Sequence, residues 1–399
     1  MLGRITDDAH PADVNSRRGL AAAILMGVVG PEVFIVQPGF VQGLVEQLGF
    51  DDRGAGYTAS AEMFGIAATT ILMTFIASRL NWRRVFALSL ITMFAANAAC
   101  TFTSSIDAFV ALRFVAGLGA GGLVSLSFAA IGLTNNPDRN FGYLIMWVLI
   151  YGALGLLAMP SVYEVAGMDG VLWFFAVFPL IALPFVRDLP LSGETAVAVD
   201  VDAVTLPAGL KSMALLAMLA YFLAQGVVWA YLFLIGTTGG LDNQQVANGL
   251  MLSQFAGIAG AFTAALAGNR FGRSMPLTLG IAAGALCLWF LVGEFSFLVF
   301  ALATAIYNFA WNMTHPFLLA SMASFDARGR VVVYAVAMQM IGLAIGPGLA
   351  ASVVHNGYFV NVNKLGAALF VLSLLLILPP VLAGARKLRP LPASAGALE

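Results

Sequence analysis

The sequence is short of charge, of cysteine and of histidine. Only 10% of its 399 residues are charged, against about 25% in an ordinary soluble domain, so water cannot be the main solvent for its surface. A formal net charge of −1 leaves no basic face and excludes nucleic-acid binding as a primary role. The two cysteines, Cys100 and Cys287, cannot build a disulfide framework or a thiolate metal cluster. We therefore expect neither a metal site nor a cofactor.

Apolar residues, in contrast, make up 60% of the chain and are arranged in long runs. A hydrocarbon core of about 30 Å needs about 20 apolar residues in a helix. Twelve such runs occur: 19–40, 57–77, 85–102, 108–133, 141–162, 171–186, 212–235, 246–267, 275–293, 297–322, 331–354 and 365–384. They are continuous and too long for barrel strands. The sequence predicts an all-α membrane protein with twelve transmembrane helices in two six-helix bundles.

The positions of the positive charges predict the orientation of these helices, because cytoplasmic loops retain Lys and Arg. With the N-terminus inside, all 19 cations except Arg53, Lys364 and Arg113 fall on inner segments. Both termini are therefore expected to be cytoplasmic. We expect an integral, multi-pass protein of a bacterial-type inner (plasma) membrane.

The order of the runs predicts five segments. They are a cytoplasmic N-terminal tail 1–18, a six-helix bundle 19–186, a cytoplasmic linker 187–211, a second bundle 212–385 and a cytoplasmic tail 386–399. The halves echo each other: Arg-led turns follow the second and eighth runs, and Pro160 and Pro347 are expected to break the fifth and eleventh. This echo indicates an internal duplication, a common construction in secondary transporters.

Three stretches resemble signatures of the major facilitator superfamily. They are ASRLNWRR at 77–84, after the second run, RFVAGLGAG at 113–121, in the fourth, and GLAIGP at 342–347, in the eleventh. Ser78 stands where the family usually has Asp, and Asn81 where it has Gly, so we expect the cytoplasmic latch of the family to be built differently here. The resemblance implies a twelve-helix secondary carrier that works by alternating access. We predict gating roles for the arginines of the two Arg-led turns: Arg79, Arg83, Arg84, Arg270 and Arg273.

Placing an ionisable side chain inside a bilayer costs free energy, so residues of this kind within a span are candidates for a functional role. We predict proton coupling by three of them: Glu32, Glu62 and Arg113. At a rise of 1.5 Å per residue, Glu32 and Arg113 lie at the same depth in the membrane. In the resembled fold the first and fourth helices both line the cavity, so we expect Glu32 and Arg113 to pair. Pro31 predicts a kink beside Glu32. The structural alternatives are a Glu32 that only hydrogen-bonds backbone at the kink, a Glu62 that packs or lies in the outer vestibule, and an Arg113 that serves architecture.

The tenth run is the richest in polar and aromatic side chains. Asn308, Asn312 and His315 recur at i, i+4 and i+7 and share one helical face, while Trp311 offers a flat apolar wall beside them. The alternative is hydrogen bonding between helices and simple packing. We predict substrate contact by the following residues: Asn308, Trp311, Asn312, His315, Tyr221, Gln225, Trp229, Tyr151 and Gln339.

These features predict a transporter, with a small-molecule solute and membrane lipid as partners and a monomeric state. The sequence contains no nucleotide-binding P-loop, so we expect an ion gradient or the solute's own gradient to supply the energy. The protonatable side chains inside the runs favour a proton gradient over a sodium gradient. The predicted function is proton-coupled uptake of a small organic acid or of an aromatic, amphipathic solute. The alternative is a proton-driven multidrug efflux antiporter. A membrane-embedded enzyme is the least favoured, because neither His-Glu-x-x-His nor Gly-x-Ser-x-Gly occurs.

Overall fold

The computed structural model describes residues 13–103, 105–192, 205–268, 270–326, 330–355 and 357–388. Within these ranges the chain is almost entirely helical, and the β pairing is a single isolated bridge between His355 and Tyr358. The helices are α1 (Arg17–Val29), α2 (Glu32–Ile35), α3 (Gln37–Glu46), α4 (Asp52–Ile76), α5 (Trp82–Cys100), α6 (Ile106–Gly132), α7 (Pro137–Ala182), α8 (Ala208–Trp229), α9 (Leu232–Thr238), α10 (Asn243–Ala267), α11 (Ser274–Cys287), α12 (Phe297–Ser324), α13 (Arg330–Val353) and α14 (Val360–Leu388). Three 3₁₀ segments, Ala77–Arg79, Leu183–Asp188 and Leu288–Leu291, extend helix ends.

Each of the twelve predicted apolar runs lies mainly in helical segments. In the described residues nine helices are long and apolar enough to cross a membrane. One of them contains both the fifth and the sixth run, because α7 continues through a single non-helical residue, Gly167. The first run is divided among α1, α2 and α3, and the third is the 19-residue α5. Length and composition alone thus miss the broken first span and α5, whose first turn carries Arg83 and Arg84.

Two proline positions do not behave as expected. The α7 helix continues through Pro160, and α13 continues through Pro347. The break in α7 lies instead at Gly167, whose φ of 60° and ψ of −162° suit only glycine. Proline is tolerated inside transmembrane helices because neighbouring groups satisfy the carbonyl it frees.

The predicted segment boundaries are only partly covered by the described residues. Helical structure reaches into both ends of the predicted linker 187–211, since the 3₁₀ segment ends at Asp188 and α8 begins at Ala208. The remaining linker residues 193–204 lie outside the described residues, as do 1–12 and 389–399 of the predicted tails. The five-segment division stays a prediction.

The chain forms two compact units, Met1–Ala196 and Val197–Glu399. In the first unit α4 and α5 pack on α6, and α1 and α5 pack on α7. In the second unit α10 and α11 pack on α12, and α13 and α14 pack on α8. The second and fourth predicted spans of each half therefore pack together in the same way.

Glycines bring α4 and α6 into backbone contact. A Cβ atom on Gly117 would lie 2.1 Å from the carbonyl oxygen of Glu62, and one on Gly65 would lie 2.2 Å from that of Phe114. Small residues at such positions allow membrane helices to approach closely. The contact places the side chains one turn away on each helix, Glu62 and Arg113, next to each other.

A hydrogen-bonded ion pair fixes the start of α8 in the second unit. The Lys211 ammonium lies 3.1 Å from Oδ1 of Asp326, which follows α12. Desolvation alone raises the pKa of the Asp326 carboxyl, but the hydrogen bond and charge of Lys211 outweigh it, and the pKa lies below its usual range. The pair therefore holds Asp326 ionised beside α8.

Candidate functional site

A buried ion pair joins α4 and α6 in the first unit. Arg113 on α6 is fully buried, and its Nη2 lies 2.6 Å from Oε1 of Glu62 on α4, while its Nε donates to Oε2 at 3.3 Å. The Arg113 Nη1 donates to Oδ1 of Asn97 on α5. The guanidinium also lies 5.1 Å from the ring centroid of Phe40. The charge of Arg113 is therefore satisfied within its own unit.

The predicted pairing of Arg113 with Glu32 is wrong. Asp51 caps α4 by accepting from the backbone N–H of Gly54 at 2.9 Å, so this helix begins well before the apolar run. Glu62 consequently lies about 15 Å into the helix at 1.5 Å per residue, and it is not the vestibule group that the run boundaries suggested. The carboxylate of Glu62, and not that of Glu32, forms the ion pair with Arg113.

Glu32 occupies the break in the first span. The α1 helix ends at Val29, Gly30 caps it with its N–H bonded to the Met26 carbonyl, Pro31 leaves helical geometry with a ψ of 21°, and Glu32 begins α2. The predicted kink at Pro31 is confirmed as a complete break. Glu32 is fully buried, and neither carboxyl oxygen has a hydrogen-bond partner among the described residues. The carboxyl lies within electrostatic range of Arg113.

Two further polar side chains of the first unit lie near this break. Gln37, which begins α3, is buried, and neither its Oε1 nor its Nε2 has a hydrogen-bond partner among the described residues. Tyr151 on α7 lies within electrostatic range of Glu32. Its ring stacks on those of Phe174 and Phe178, at centroid distances of 6.4 and 5.8 Å. The first unit thus places Tyr151 with the acidic cluster, and the other predicted substrate residues belong to the second unit.

The amides of α12 hold this helix to α10. Asn308 Nδ2 donates to Gln254 Oε1 at 3.0 Å and to Ser253 Oγ at 3.3 Å. Asn312 Nδ2 donates to Asn308 Oδ1 at 2.8 Å. Asn308 and Asn312 lie on one face of α12, as their spacing predicts. The hydrogen bonds of Asn308 join two helices, which is what the structural alternative to substrate binding expects. A Cβ on Gly257 would lie 2.8 Å from Asn312 Nδ2, so α10 packs closely here.

An aromatic wall joins α8 to α12. Trp311 meets Trp229 edge to face at 5.9 Å between centroids, and it meets Tyr307 at 6.1 Å. Trp229 is buried, whereas Trp311 is partly exposed. Gln225 is also buried, and its Oε1 has no hydrogen-bond partner among the described residues.

His315 extends this set toward α13. Its Nε2 lies 3.0 Å from Oε1 of Gln339, and its ring meets Phe222 edge to face at 5.0 Å. Tyr221 is buried between Phe222 and Phe370. The second unit therefore brings together all the predicted substrate residues except Tyr151. No observation tests their roles, which stay predictions.

Two of the five predicted gating arginines, Arg83 and Arg273, form side-chain hydrogen bonds within their own unit. Arg83 Nε donates to the Leu189 carbonyl at 2.7 Å, and Arg273 Nη1 donates to Ser324 Oγ. The backbone N–H of Arg84 donates to the Asn81 side chain at 3.1 Å, so Asn81 caps α5 at the position where the family has Gly. Two others lie at chain turns: Arg79 at the end of a 3₁₀ segment and Arg270 after α10.

Two polar residues of these clusters escaped prediction. Asn97 bonds Arg113 and also donates to the Phe175 carbonyl at 2.8 Å, and Ser253 accepts from Asn308. Each is an uncharged polar side chain inside an apolar run, a signal that a search for charged residues does not reveal. Among the described residues no three His, Cys, Asp or Glu side chains are close enough to hold a metal ion.

The chain is similar to known transporters in sequence. A family model described as Major Facilitator Superfamily matches residues 22–347. The gentisate transporter of Corynebacterium glutamicum is 26% identical over 384 residues, which cover 86% of this chain and 83% of the relative. Both similarities cover most of the chain.

Solved structures support the fold. The chain superposes on a variant of the nucleoside transporter NupG with a TM-score of 0.73 and 14% identity, over 90% of this chain and 98% of the other. A D-xylose-proton symporter superposes with a TM-score of 0.71 and 17% identity, over 91% of this chain and 97% of the other. The predicted all-α, twelve-helix fold class is confirmed, and the protein is an integral, multi-pass membrane transporter of small solutes, not an enzyme. The chain belongs to the Major Facilitator Superfamily.

Proposed function

We propose that this protein takes up a small aromatic acid together with protons, by alternating access. The observation that carries the proposal is the Glu32 carboxyl, which is fully buried and lacks any hydrogen-bond partner among the described residues. Burying an ionised carboxylate without a partner is very costly, whereas a protonated carboxyl is tolerated. Glu32 is therefore suited to carry a proton in this state.

The neighbouring ion pair supports this assignment. Arg113 is already neutralised by Glu62, so a protonated Glu32 leaves the cluster without net charge. Loss of the proton adds a negative charge in a low-dielectric environment. That charge requires a cation or water to reach Glu32, and Arg113 is within electrostatic range. Proton binding and release would thus favour different arrangements of the first unit.

The proposed substrate class rests on two observations. The first is the similarity to a gentisate transporter over 86% of the chain, since gentisate is an aromatic acid. The second is the partly exposed Trp311, whose ring meets that of Trp229 edge to face, with the buried Gln225 one turn before Trp229 on α8. Aromatic side chains and a few polar groups are typical of sites for small ring compounds. Efflux of cationic drugs is less well supported, because Glu62 is bound to Arg113.

Transport of gentisate into proteoliposomes tests the proposal. With an acidic exterior, we expect the wild-type protein to accumulate gentisate above its external concentration. Glu32→Gln should lose this accumulation and retain exchange of labelled for unlabelled gentisate, because the amide mimics the protonated carboxyl. Glu46→Gln removes an exposed carboxylate from the same broken span and is the matched control.

Three results would contradict the proposal in different ways. Accumulation by Glu32→Gln equal to that of wild type would exclude Glu32 as the proton carrier. Absence of gentisate transport with proton-driven export of a cationic dye would favour the efflux alternative. Loss of accumulation in Glu46→Gln as well would point to a nonspecific charge effect.

A further inference from the structure

A basic cavity of about 430 Å³ lies in the first unit, where α1 begins and the 3₁₀ segment after α7 ends. It belongs to none of the sites described above. Three arginines, one carboxylate and an apolar wall line it: Arg17, Arg18, Arg187, Asp188, Ala21 and Phe185. All three arginines are predicted to lie at the cytoplasmic surface.

The charge of this cavity suits a phosphate group. Arg17, Arg18 and Arg187 are exposed, and none of them forms an ion pair with a residue that the structure describes. Asp188 offsets one of the three charges, which leaves an excess of positive charge. Guanidinium groups present paired N–H donors that match phosphate oxygens.

An exposed apolar track leads away from the cavity. Val177, Ile181 and Phe185 follow one another at four-residue spacing, so the first two share one face of α7. Their side chains are 41%, 60% and 44% exposed. In a transmembrane protein such a face meets lipid chains, which a free phosphate ion would not require. The track therefore selects a lipid over a soluble anion.

The walls of the cavity are anchored. The chain just beyond the 3₁₀ segment is bound to the start of α5, because Arg83 Nε donates to the Leu189 carbonyl at 2.7 Å and the Trp82 N–H donates to that of Leu191 at 2.8 Å. On the other side, Ser16 caps α1 by accepting from the Gly19 N–H at 3.0 Å. A ligand would therefore meet a site whose backbone is already held in place.

We propose that this cavity binds the phosphate of an anionic phospholipid, with an acyl chain along Val177, Ile181 and Phe185. Basic cavities between transmembrane helices on the cytoplasmic side are suited to anionic headgroups. The bound lipid would connect the first turn of α1 to the end of α7. This proposal is independent of the transported solute.

Native mass spectrometry of the purified full-length protein in neutral detergent tests the proposal. We expect phosphatidylglycerol to bind, and phosphatidylcholine at the same concentration to bind at least about tenfold more weakly. The triple variant Arg17→Gln, Arg18→Gln, Arg187→Gln should lose phosphatidylglycerol binding by a similar factor. Arg386→Gln removes an exposed arginine of α14 and should bind as wild type does. Phe185→Ser should weaken lipid binding while all three arginines remain.

The remaining arms distinguish lipid from other causes. Inorganic phosphate, tested by thermal shift, should leave the melting temperature unchanged; a shift equal to that of phosphatidylglycerol would indicate a free-anion site and overturn the proposal. Unchanged lipid binding in the triple variant, or an equal loss in Arg386→Gln, would also overturn it. A helical circular dichroism spectrum and a single peak in size exclusion show that the triple variant is folded, and Arg187→Gln alone provides a milder variant if it is not.

Discussion

At the scale of single residues, Glu32 and Glu62 are both buried carboxyls of the first unit, but they differ in their partners. Glu62 is bound to Arg113 at 2.6 Å, whereas neither oxygen of Glu32 has a hydrogen-bond partner among the described residues. Removing one member of a buried ion pair leaves the other charge uncompensated, at a cost of about 3–5 kcal/mol. Glu62→Gln should therefore lower the thermal stability in detergent markedly, and Glu32→Gln should leave it unchanged or raise it.

A double variant provides the control for this prediction. In Glu62→Gln with Arg113→Met no charge is left unpaired, so we expect it to be more stable than Glu62→Gln alone. Equal melting temperatures for Glu32→Gln and Glu62→Gln would contradict the assigned pairing. The pairing would also be contradicted if the double variant lost as much stability as Glu62→Gln and Arg113→Met lose together when measured singly. Such additivity indicates residues that do not interact.

The sequence identifies Glu32, Glu62 and Arg113 because charged side chains inside apolar runs are conspicuous. It does not reveal which of them pair. The edge of an apolar run does not show where its helix begins: α4 begins five residues before its run, because Asp51 caps it. The pairing also depends on the lateral contact between α4 and α6, which periodicity along one helix cannot express.

At the scale of helices, the contact between α4 and α6 depends on the absence of side chains. A Cβ on Gly117 would lie 2.1 Å from a backbone oxygen of Glu62, and a backbone cannot move aside as a flexible side chain can. We expect Gly117→Ala to destabilise the protein by about 1–3 kcal/mol and to disturb the Glu62–Arg113 pair. Gly132→Ala, at the end of the same helix, is the matched control because nothing lies within 4 Å of its Cβ position.

Thermal unfolding of the two alanine variants distinguishes close packing from a general effect of glycine replacement. Alanine favours helix more than glycine does, so Gly132→Ala should be neutral or slightly stabilising. If Gly117→Ala were equally harmless, the backbones of α4 and α6 could not approach as closely as described.

Helix breaks were the least predictable feature at this scale. Hydropathy located all twelve runs but could not show that the first divides at Gly30 and Pro31, or that the fifth and sixth are continuous except at Gly167. Proline predicted a break correctly at Pro31 and wrongly at Pro160, because packing in a membrane bundle decides whether a freed carbonyl finds a partner. The partners of polar residues were equally hard to predict. The spacing of Asn308 and Asn312 predicts that they share a face. It cannot predict that Gln254 and Ser253 bind Asn308, because those contacts depend on how α10 packs on α12.

At the scale of the whole molecule, the number of crossings determines where the termini lie. Nine of the described helices satisfy length and composition for a membrane span. With the N-terminus inside, nine crossings would place the two chain ends on opposite sides of the membrane. Twelve crossings, which include the broken first span, α5 and both parts of α7, place them on the same side. The distribution of Lys and Arg supports twelve.

Labelling of single cysteines checks the orientation that twelve crossings predict. In a background where the buried Cys100 and Cys287 are replaced by Ala, we expect an impermeant maleimide to label Arg53→Cys and Lys364→Cys in intact cells. Arg386→Cys should react only after the membrane is permeabilised, which also confirms that its thiol is accessible. Nine crossings predict the reverse at all three positions, because the segment before α4 would then be cytoplasmic and α14 would run outward. The reversed pattern would mean that the first span does not cross the bilayer, and Glu32 could then not bind a proton at the membrane interior.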